Sequence, residues 1–336
     1  FNVGLFAKRI CEQRIRDCHG DLRLEHIHLG PRRLSIYDCI EFNDRLRYID
    51  WANDIAFLAM DLDDRGRPDL SRYFTKCMAA ALRDEGMLDL VDFYKCYRAY
   101  VRGKVESFQS AGSPQDRSKR RSRKNAGRYF RLALQYAVGG SGPGAFVFMG
   151  RIASGKSTLA KALGRELGWD VLSSDIVRKR LAGVPLDQRV ADPARKQRLY
   201  AREMTNKTYA ALFRQAITHV RKGSNVILDA TFGNPQYRNR FRSRLQAMGI
   251  KVVFVEVQAP DGVVRHRLKK RETSAAEVSD ARLDDFRALS DSYQPPSELP
   301  TDDVLIIRTG RASLEATMVG LVKKLAARAA ARREGG

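Results

Sequence analysis

Apolar residues change their spacing once along this chain, and the change divides it. Up to residue 137 the spacing is helical: Ile55-Ala56-Phe57-Leu58-Ala59-Met60, Leu70 to Leu82 and Leu88 to Val101 each form the stripe of an amphipathic helix. Beyond it, short apolar runs alternate with helical stripes. Ala145-Phe146-Val147-Phe148-Met149, Val171-Leu172, Asn225-Val226-Ile227-Leu228, Lys251 to Val257 and Val304-Leu305-Ile306-Ile307 read as buried strands. Such alternation predicts a parallel sheet covered by helices, with a ligand at the carboxyl ends of its strands. Between the two regions lies Val138-Gly139-Gly140-Ser141-Gly142-Pro143-Gly144, uncharged and rich in glycine, the composition of a linker. The expected organisation is a mainly helical domain over 1–137, a linker over 138–145, an α/β domain over 146–325 and a basic tail over 326–336.

The strand ending at Met149 runs into Gly150-Arg151-Ile152-Ala153-Ser154-Gly155-Lys156-Ser157, which satisfies every fixed position of the phosphate-cradling pattern G-x-x-x-x-G-K-[ST]. Leu159, Leu163 and Leu167 then resume helical spacing, so strand, loop and helix stand in the required order. Glycines let backbone N–H groups converge on phosphate oxygens, and the helix N-terminus adds partial positive charge. Gly150, Ser154, Gly155, Lys156, Ser157 and Thr158 are the expected nucleotide-binding residues, with Lys156 on the β/γ-phosphates and Ser157 on Mg²⁺. ATP with Mg²⁺ is the expected cofactor pair, and the loop itself does not discriminate ATP from GTP.

Further candidates sit at strand ends and on one helix. Asp229 closes the strand at Leu228, where such enzymes hold Mg²⁺ directly or through water. Asp175, after Ser173-Ser174, is placed to accept a proton from an attacking hydroxyl, and the cap of a helix over 176–181 is its competing role. Arg178, one turn on, and Arg238 are candidate substrate-binding residues. Arg267 and Arg271 stand at i and i+4, suited to closing over phosphates, and a solvated basic helix is the alternative.

Taken together, G-x-x-x-x-G-K-S-T, S-S-D-x-x-R-K, D-A-T-F and R-L-x-x-R resemble the small P-loop kinases that include zeta toxins, chloramphenicol phosphotransferase and gluconate kinase, over roughly residues 146–325. The resemblance implies catalytic roles for Lys156, Asp175, Arg267 and Arg271, and metal ligation by Ser157 and Asp229.

Charge and cysteine content change this picture little. The formal charge of +22, from 61 Lys and Arg against 39 Asp and Glu, is densest at Arg117-Ser118-Lys119-Arg120-Arg121-Ser122-Arg123-Lys124. No aromatic is interleaved there, so a solvated helix or loop face is favoured over a nucleic-acid surface. Five cysteines without C-x-x-C spacing argue against disulfides and zinc, and no run has the length of a membrane span, so a cytoplasmic protein is expected.

In the first region, Cys18-His19-Gly20-Asp21-Leu22 and Ile36-Tyr37-Asp38-Cys39-Ile40-Glu41-Phe42 resemble the catalytic and metal-binding loops of aminoglycoside phosphotransferases. That resemblance implies acceptor positioning by Asp21, Mg²⁺ binding by Asp38 and a structural Asp54. The metal-binding Asn of that family is His26 here, and imidazole suits Mg²⁺ poorly. Only eighteen residues precede His19, too few for a nucleotide-binding lobe, so the expectation is a fragment whose first region is not a complete kinase. The order of the two parts resembles fusions of an aminoglycoside phosphotransferase-like part to an ATP-binding P-loop part. The expected activity is transfer of the ATP γ-phosphoryl group to a hydroxyl of a small polar metabolite, worked by residues 146–325. The alternative is a nucleotide-switched regulator or RNA-binding protein.

Overall fold

In a computed structural model, residues 3–112, 116–190, 192–272 and 282–331 are described. Two compact units emerge, Phe1–Ser141 with Ala326–Gly336, and Gly142–Leu325.

The first unit is mainly helical. Its elements are α1 (Val3–Cys11), β1 (Ile15–Asp17), β2 (Ile27–Leu29), β3 (Leu34–Ile36), α2 (Asp44–Arg47), β4 (Tyr48–Asp50), α3 (Trp51–Asp64), α4 (Pro68–Ala81), α5 (Leu88–Gly112) and α6 (Asp116–Gly139). Helix α3 is buried along almost its whole length because α4 and α5 cover its apolar stripe, Ala52, Ile55 and Ala56 packing on Ala79, Leu90 and Val91. Two antiparallel pairs, β1 with β4 and β2 with β3, carry the loops around Asp21 and Asp38. These three-residue strands are too short to show a period of two, which is why the sequence reads as loop there. The basic run belongs to the exposed first half of α6, with Ser122 turned inward.

The second unit is α/β. It runs β5 (Gly144–Met149), α7 (Lys156–Leu167), β6 (Asp170–Ser173), α8 (Ser174–Leu181), α9 (Pro193–Tyr200), α10 (Arg202–Arg221), β7 (Val226–Asp229), α11 (Pro235–Gln246), β8 (Lys251–Gln258), α12 (Asp261–Glu272), α13 (Phe286–Asp291), β9 (Val304–Arg308) and the part of α14 (Leu314–Ala331) up to Leu325. The five strands form one parallel sheet in the order β6-β7-β5-β8-β9. Central strand β5 is buried at all six residues, so its run Ala145 to Met149 is apolar on both faces, the pattern of a strand covered by helices on each side. Val147, Met149, Leu228 and Phe254 of the sheet pack against Leu212, Phe213, Phe241 and Leu245 of α10 and α11. Each such fully buried side chain contributes about 1.5–3 kcal/mol of transfer free energy.

Two expected boundaries shift. Helix α6 continues to Gly139 and β5 starts at Gly144, so the non-regular part of the expected linker shrinks to four residues between them. Residues 326–331 of the expected tail continue α14, where Ala329 is buried, and the rest of that tail lies outside the described residues. All five cysteines are free thiols, and no helix among the described residues is long and apolar enough to cross a membrane.

Candidate active site

Parallel strands end on the same side, and the sheet order brings the ends of β6, β7 and β5 side by side. Asp229, last residue of β7, is in register with Phe148 of β5 and with Ser173 of β6. The phosphate loop leaves β5 one residue after Met149, and Asp175 follows Ser173 by two. Loop, Asp229 and Asp175 therefore converge because of register.

The loop keeps an unusual backbone. Gly150 has φ +141°, and a Cβ there would overlap the Val257 carbonyl of β8, so only glycine lets the chain pass. Its N–H donates to the Thr231 carbonyl at 3.2 Å, tying the loop to the segment after Asp229. Gly155, φ +100°, opens α7 without a side-chain cap. The first N–H groups of Lys156, Ser157 and Thr158 thus form a helix N-terminus of the kind that binds anions. Ser154 is placed differently from its neighbours: its hydroxyl is buried, and its carbonyl accepts a 2.6 Å bond from the Thr309 hydroxyl.

Asp229 is 4% exposed. Burial pushes its carboxyl above the ordinary aspartate value, against the opposing pull of Lys156 and of the Ser157 hydroxyl, while Asp175 adds to the rise. Its Oδ1 is buried and has no hydrogen-bond partner among the described residues. An orphaned carboxylate oxygen beside a serine hydroxyl is a hard-donor pair, and it fits Mg²⁺. Asp175 is half-buried in the first turn of α8, and no described residue hydrogen-bonds its carboxylate. The helix begins two residues earlier than its apolar pattern implies, so Ser173 holds the cap position and the expected capping role of Asp175 falls away.

Arg267 reaches the loop from α12, its guanidinium donating to the Ala153 carbonyl and the Thr309 hydroxyl, each at 3.1 Å. Burial lowers its proton affinity, and the neighbouring Arg271 lowers it further. A cavity of about 410 Å³ opens here, lined by Gly155, Thr158, Arg267, Arg271, Thr309 and Thr317. Thr309, absent from the sequence candidates, stands where β9 meets the loop, and only the strand order reveals its neighbour.

Two sequence candidates are buried, and the first of them is corrected. Arg238 is fully buried and saturated: it donates to Glu298 twice, at 2.5 and 2.7 Å, and to the carbonyls of Phe232, Gln294 and Pro295. It clasps the chain after Asp229 to residues 294–298 and has no face left for substrate. Arg178 is buried under α9 and α10, donating to the Leu199 carbonyl at 3.0 Å and Thr205 Oγ1 at 3.1 Å, with Tyr200 against its plane. Both partners lie far along the chain, where helix spacing carries no signal.

In the first unit, Asp21 pairs with Arg23 at 3.2 Å, and Asp38, at φ +65°, is largely exposed. His26 lies between them, Nδ1–H donating to the Asp21 carbonyl at 2.9 Å and Nε2 3.3 Å from Asp38. His19 donates to the Tyr37 carbonyl at 2.8 Å, so both imidazoles serve as loop struts. Asp54 accepts the N–H groups of His19 and Gly20 at 2.9 and 3.1 Å, a structural use of that carboxylate.

Residues 146–296 match a family model described as an AAA domain. An uncharacterized protein of Mycobacterium tuberculosis strain H37Rv, Rv2004c, is 39% identical over 246 residues, covering 70% of this chain and 46% of that protein, and an uncharacterized Mycobacterium bovis protein, Mb2027c, matches equally. The chain thus spans about half the length of these relatives. Among solved structures, a gluconokinase from Sinorhizobium meliloti is 16% identical with TM-score 0.40, covering 57% of this chain and 95% of that one. The Mycobacterium tuberculosis APS kinase CysC, in complex with AMPPNP and APS, is 19% identical with TM-score 0.38, covering 55% and 98%. Kti12 of Chaetomium thermophilum is 17% identical with TM-score 0.41, covering 54% and 96%.

Proposed function

We propose that residues 146–325 bind Mg²⁺·ATP and transfer its γ-phosphoryl group to a hydroxyl of a small acceptor. The observation that carries this reading is the convergence of the phosphate loop, Asp229 and Asp175 at adjacent strand ends. Lys156 and the first N–H groups of α7 hold the phosphates, and Arg267 lies over the loop to meet charge on the equatorial oxygens. Mg²⁺, held by Ser157 and Asp229, neutralises charge on the β/γ-phosphates when bound. The acceptor oxygen bonds to the γ-phosphorus, the bond to the β-phosphate oxygen breaks, and ADP leaves with that electron pair. The hydroxyl proton passes to the Asp175 carboxylate, which no described hydrogen bond restrains.

The aminoglycoside phosphotransferase-like reading of the first unit stays a secondary proposal, with Asp21 already paired to Arg23 and the His26 ring filling the space between Asp21 and Asp38. Substituting Asp175→Asn removes the proton acceptor at nearly constant shape. Acceptor-stimulated ADP release is expected to fall by about 10²-fold or more, with Mg²⁺·ATP affinity within about twofold of wild type because no phosphate contact is lost. Equal loss of nucleotide affinity and turnover would remove Asp175 from the chemistry.

A further inference from the structure

The densest positive charge of the chain lies on the first unit, and none of the roles above uses it. Between residues 97 and 131 there are eleven Lys and Arg against two Asp and Glu. Arg117, Lys119, Arg120, Arg121, Arg123 and Lys124 are exposed, and none of them forms an ion pair with a described residue. Along the chain this run holds no aromatic, but the fold supplies rings from the neighbouring helix. Helices α5 and α6 form an antiparallel hairpin, in which the Asn125 amide donates to Glu106 at 3.3 Å and the Ser110 hydroxyl donates to the Lys119 carbonyl at 3.2 Å. Gly103 lets Phe130 lie against α5, since a Cβ there would overlap the Phe130 ring.

Tyr97, Tyr100, Lys104 and Phe108 follow one another at i, i+3, i+7 and i+11 of α5, so they share a stripe about 16 Å long, opposite the buried Val91, Lys95 and Glu106. The three rings are 45%, 52% and 69% exposed, so the core does not account for them. Helix α6 widens this surface. Its Phe130, also exposed, stands 5.8 Å from Tyr100 between ring centres, and the Lys104 ammonium lies 5.9 Å from the Tyr100 ring. Lys119 and Arg123 precede Phe130 by eleven and seven residues, spacings that put them on its side of α6. The contacts at Gly103, Glu106 and Ser110 set the register, which brings Phe108 level with the turn that holds Arg123. Rings and cations therefore alternate along one exposed face.

Charge selects a polyanion, and the rings select among polyanions. Apart from Leu88 at its start, α5 exposes no large aliphatic side chain among the described residues, and α6 exposes none. A helix lying in a lipid surface needs an apolar face that enters the acyl boundary. An acidic peptide would answer the cations and leave four rings in water. A nucleic-acid duplex hides its base faces, whereas a single strand offers phosphates to the cations and unpaired bases to the rings. We infer that the α5–α6 hairpin docks single-stranded nucleic acid, with Tyr100, Phe108 and Phe130 stacking on bases and Lys104, Lys119 and Arg123 meeting the backbone. The assignment concerns the first unit and stands independently of the phosphoryl transfer proposed for the second.

Fluorescence anisotropy of the whole chain with labelled oligouridylate and oligothymidylate, each of about 12 nucleotides and so within common site sizes, tests this. At least one of them is expected to bind, the tighter arm telling RNA from DNA, and a duplex of equal length should bind more weakly at the same salt. The logarithm of affinity should fall linearly with that of salt concentration, and K119A/R123A should flatten the slope by about 1.4, the share of two single-strand phosphate contacts. Phe108→Leu keeps an apolar side chain without a π-face and should weaken binding by about tenfold, while Phe108→Trp should bind at least as tightly as wild type. Neither replacement touches the core, because Phe108 is exposed. No binding of either strand at low salt, wild-type affinity in Phe108→Leu, or displacement by duplex or polyglutamate as effective as by the single strand would each overturn the assignment. Tighter binding to anionic phospholipid vesicles, lost in the same variants, would give this face to a membrane and overturn it as well.

Discussion

Asp229→Asn is expected to lower Mg²⁺-dependent ATP turnover by about 10³-fold or more, the scale of losing a fixed electrostatic contact to the transferring group, while raising the melting temperature of the metal-free protein. Both effects have one cause. The carboxylate is buried, and one of its oxygens lacks a partner among the described residues, so the ionised form is costly until a cation arrives. Its proton affinity in the folded chain is raised, chiefly by burial. The folded chain therefore holds that proton to higher pH than the unfolded chain does. The ionisation penalty is absent below the ordinary carboxyl value of about 3.9 and grows as pH rises through the raised folded value. Asn, always neutral, escapes it. The variant should melt about 2–4 °C above wild type near neutral pH, corresponding to about 1 kcal/mol in a unit of this size, and the difference should shrink toward acid pH. Thermal unfolding in chelator at several pH values measures it. A variant less stable than wild type at neutral pH would mean that the Lys156 attraction outweighs burial.

Arg238→Met should cost about 3–5 kcal/mol, the scale of removing one partner of a buried ion pair. The side chain makes five hydrogen bonds while fully buried, and its loss leaves three carbonyls and the Glu298 carboxylate short of donors. Burial raises and the Arg238 hydrogen bonds lower the Glu298 proton affinity, and the lowering wins, so the pair is ionised in the folded chain. Arg238→Lys keeps the charge but not the planar fork and should recover only part of the loss. Denaturant melts of the three proteins decide this. Unchanged stability with a raised acceptor KM would restore the substrate-binding role that the sequence suggested.

The contrast between these two residues shows what the sequence could carry. The strand-end position of Asp229 is legible because its signal is local: a three-residue apolar run followed by a carboxylate, in a chain that also holds a complete phosphate loop. The same locality makes all five sheet strands readable to within a residue or two, since each is centred on apolar residues between helical stripes. The burial of Arg238 is not legible, because its principal partner, Glu298, lies sixty residues away and nothing at positions 234–242 marks it as buried. Thr309 carries no local signal for a related reason: a threonine after a strand acquires meaning only when β8 and β9 are laid beside β5 and its hydroxyl meets the phosphate loop. In the first unit the short strands around Asp21 and Asp38 were invisible to periodicity, whereas α3 to α5 were plain.

The central claim is that one nucleotide site, built on Lys156, Ser157 and Asp229, accounts for ATP binding by this chain. Titration calorimetry of Mg²⁺·ATP into the wild-type chain and into Lys156→Ala tests it directly. The account predicts one ATP per wild-type chain and a loss of affinity of at least tenfold in the variant, since a charge-assisted contact to phosphate contributes about 1.5–3 kcal/mol. Undiminished binding in Lys156→Ala, or two ATP molecules per wild-type chain, would contradict it.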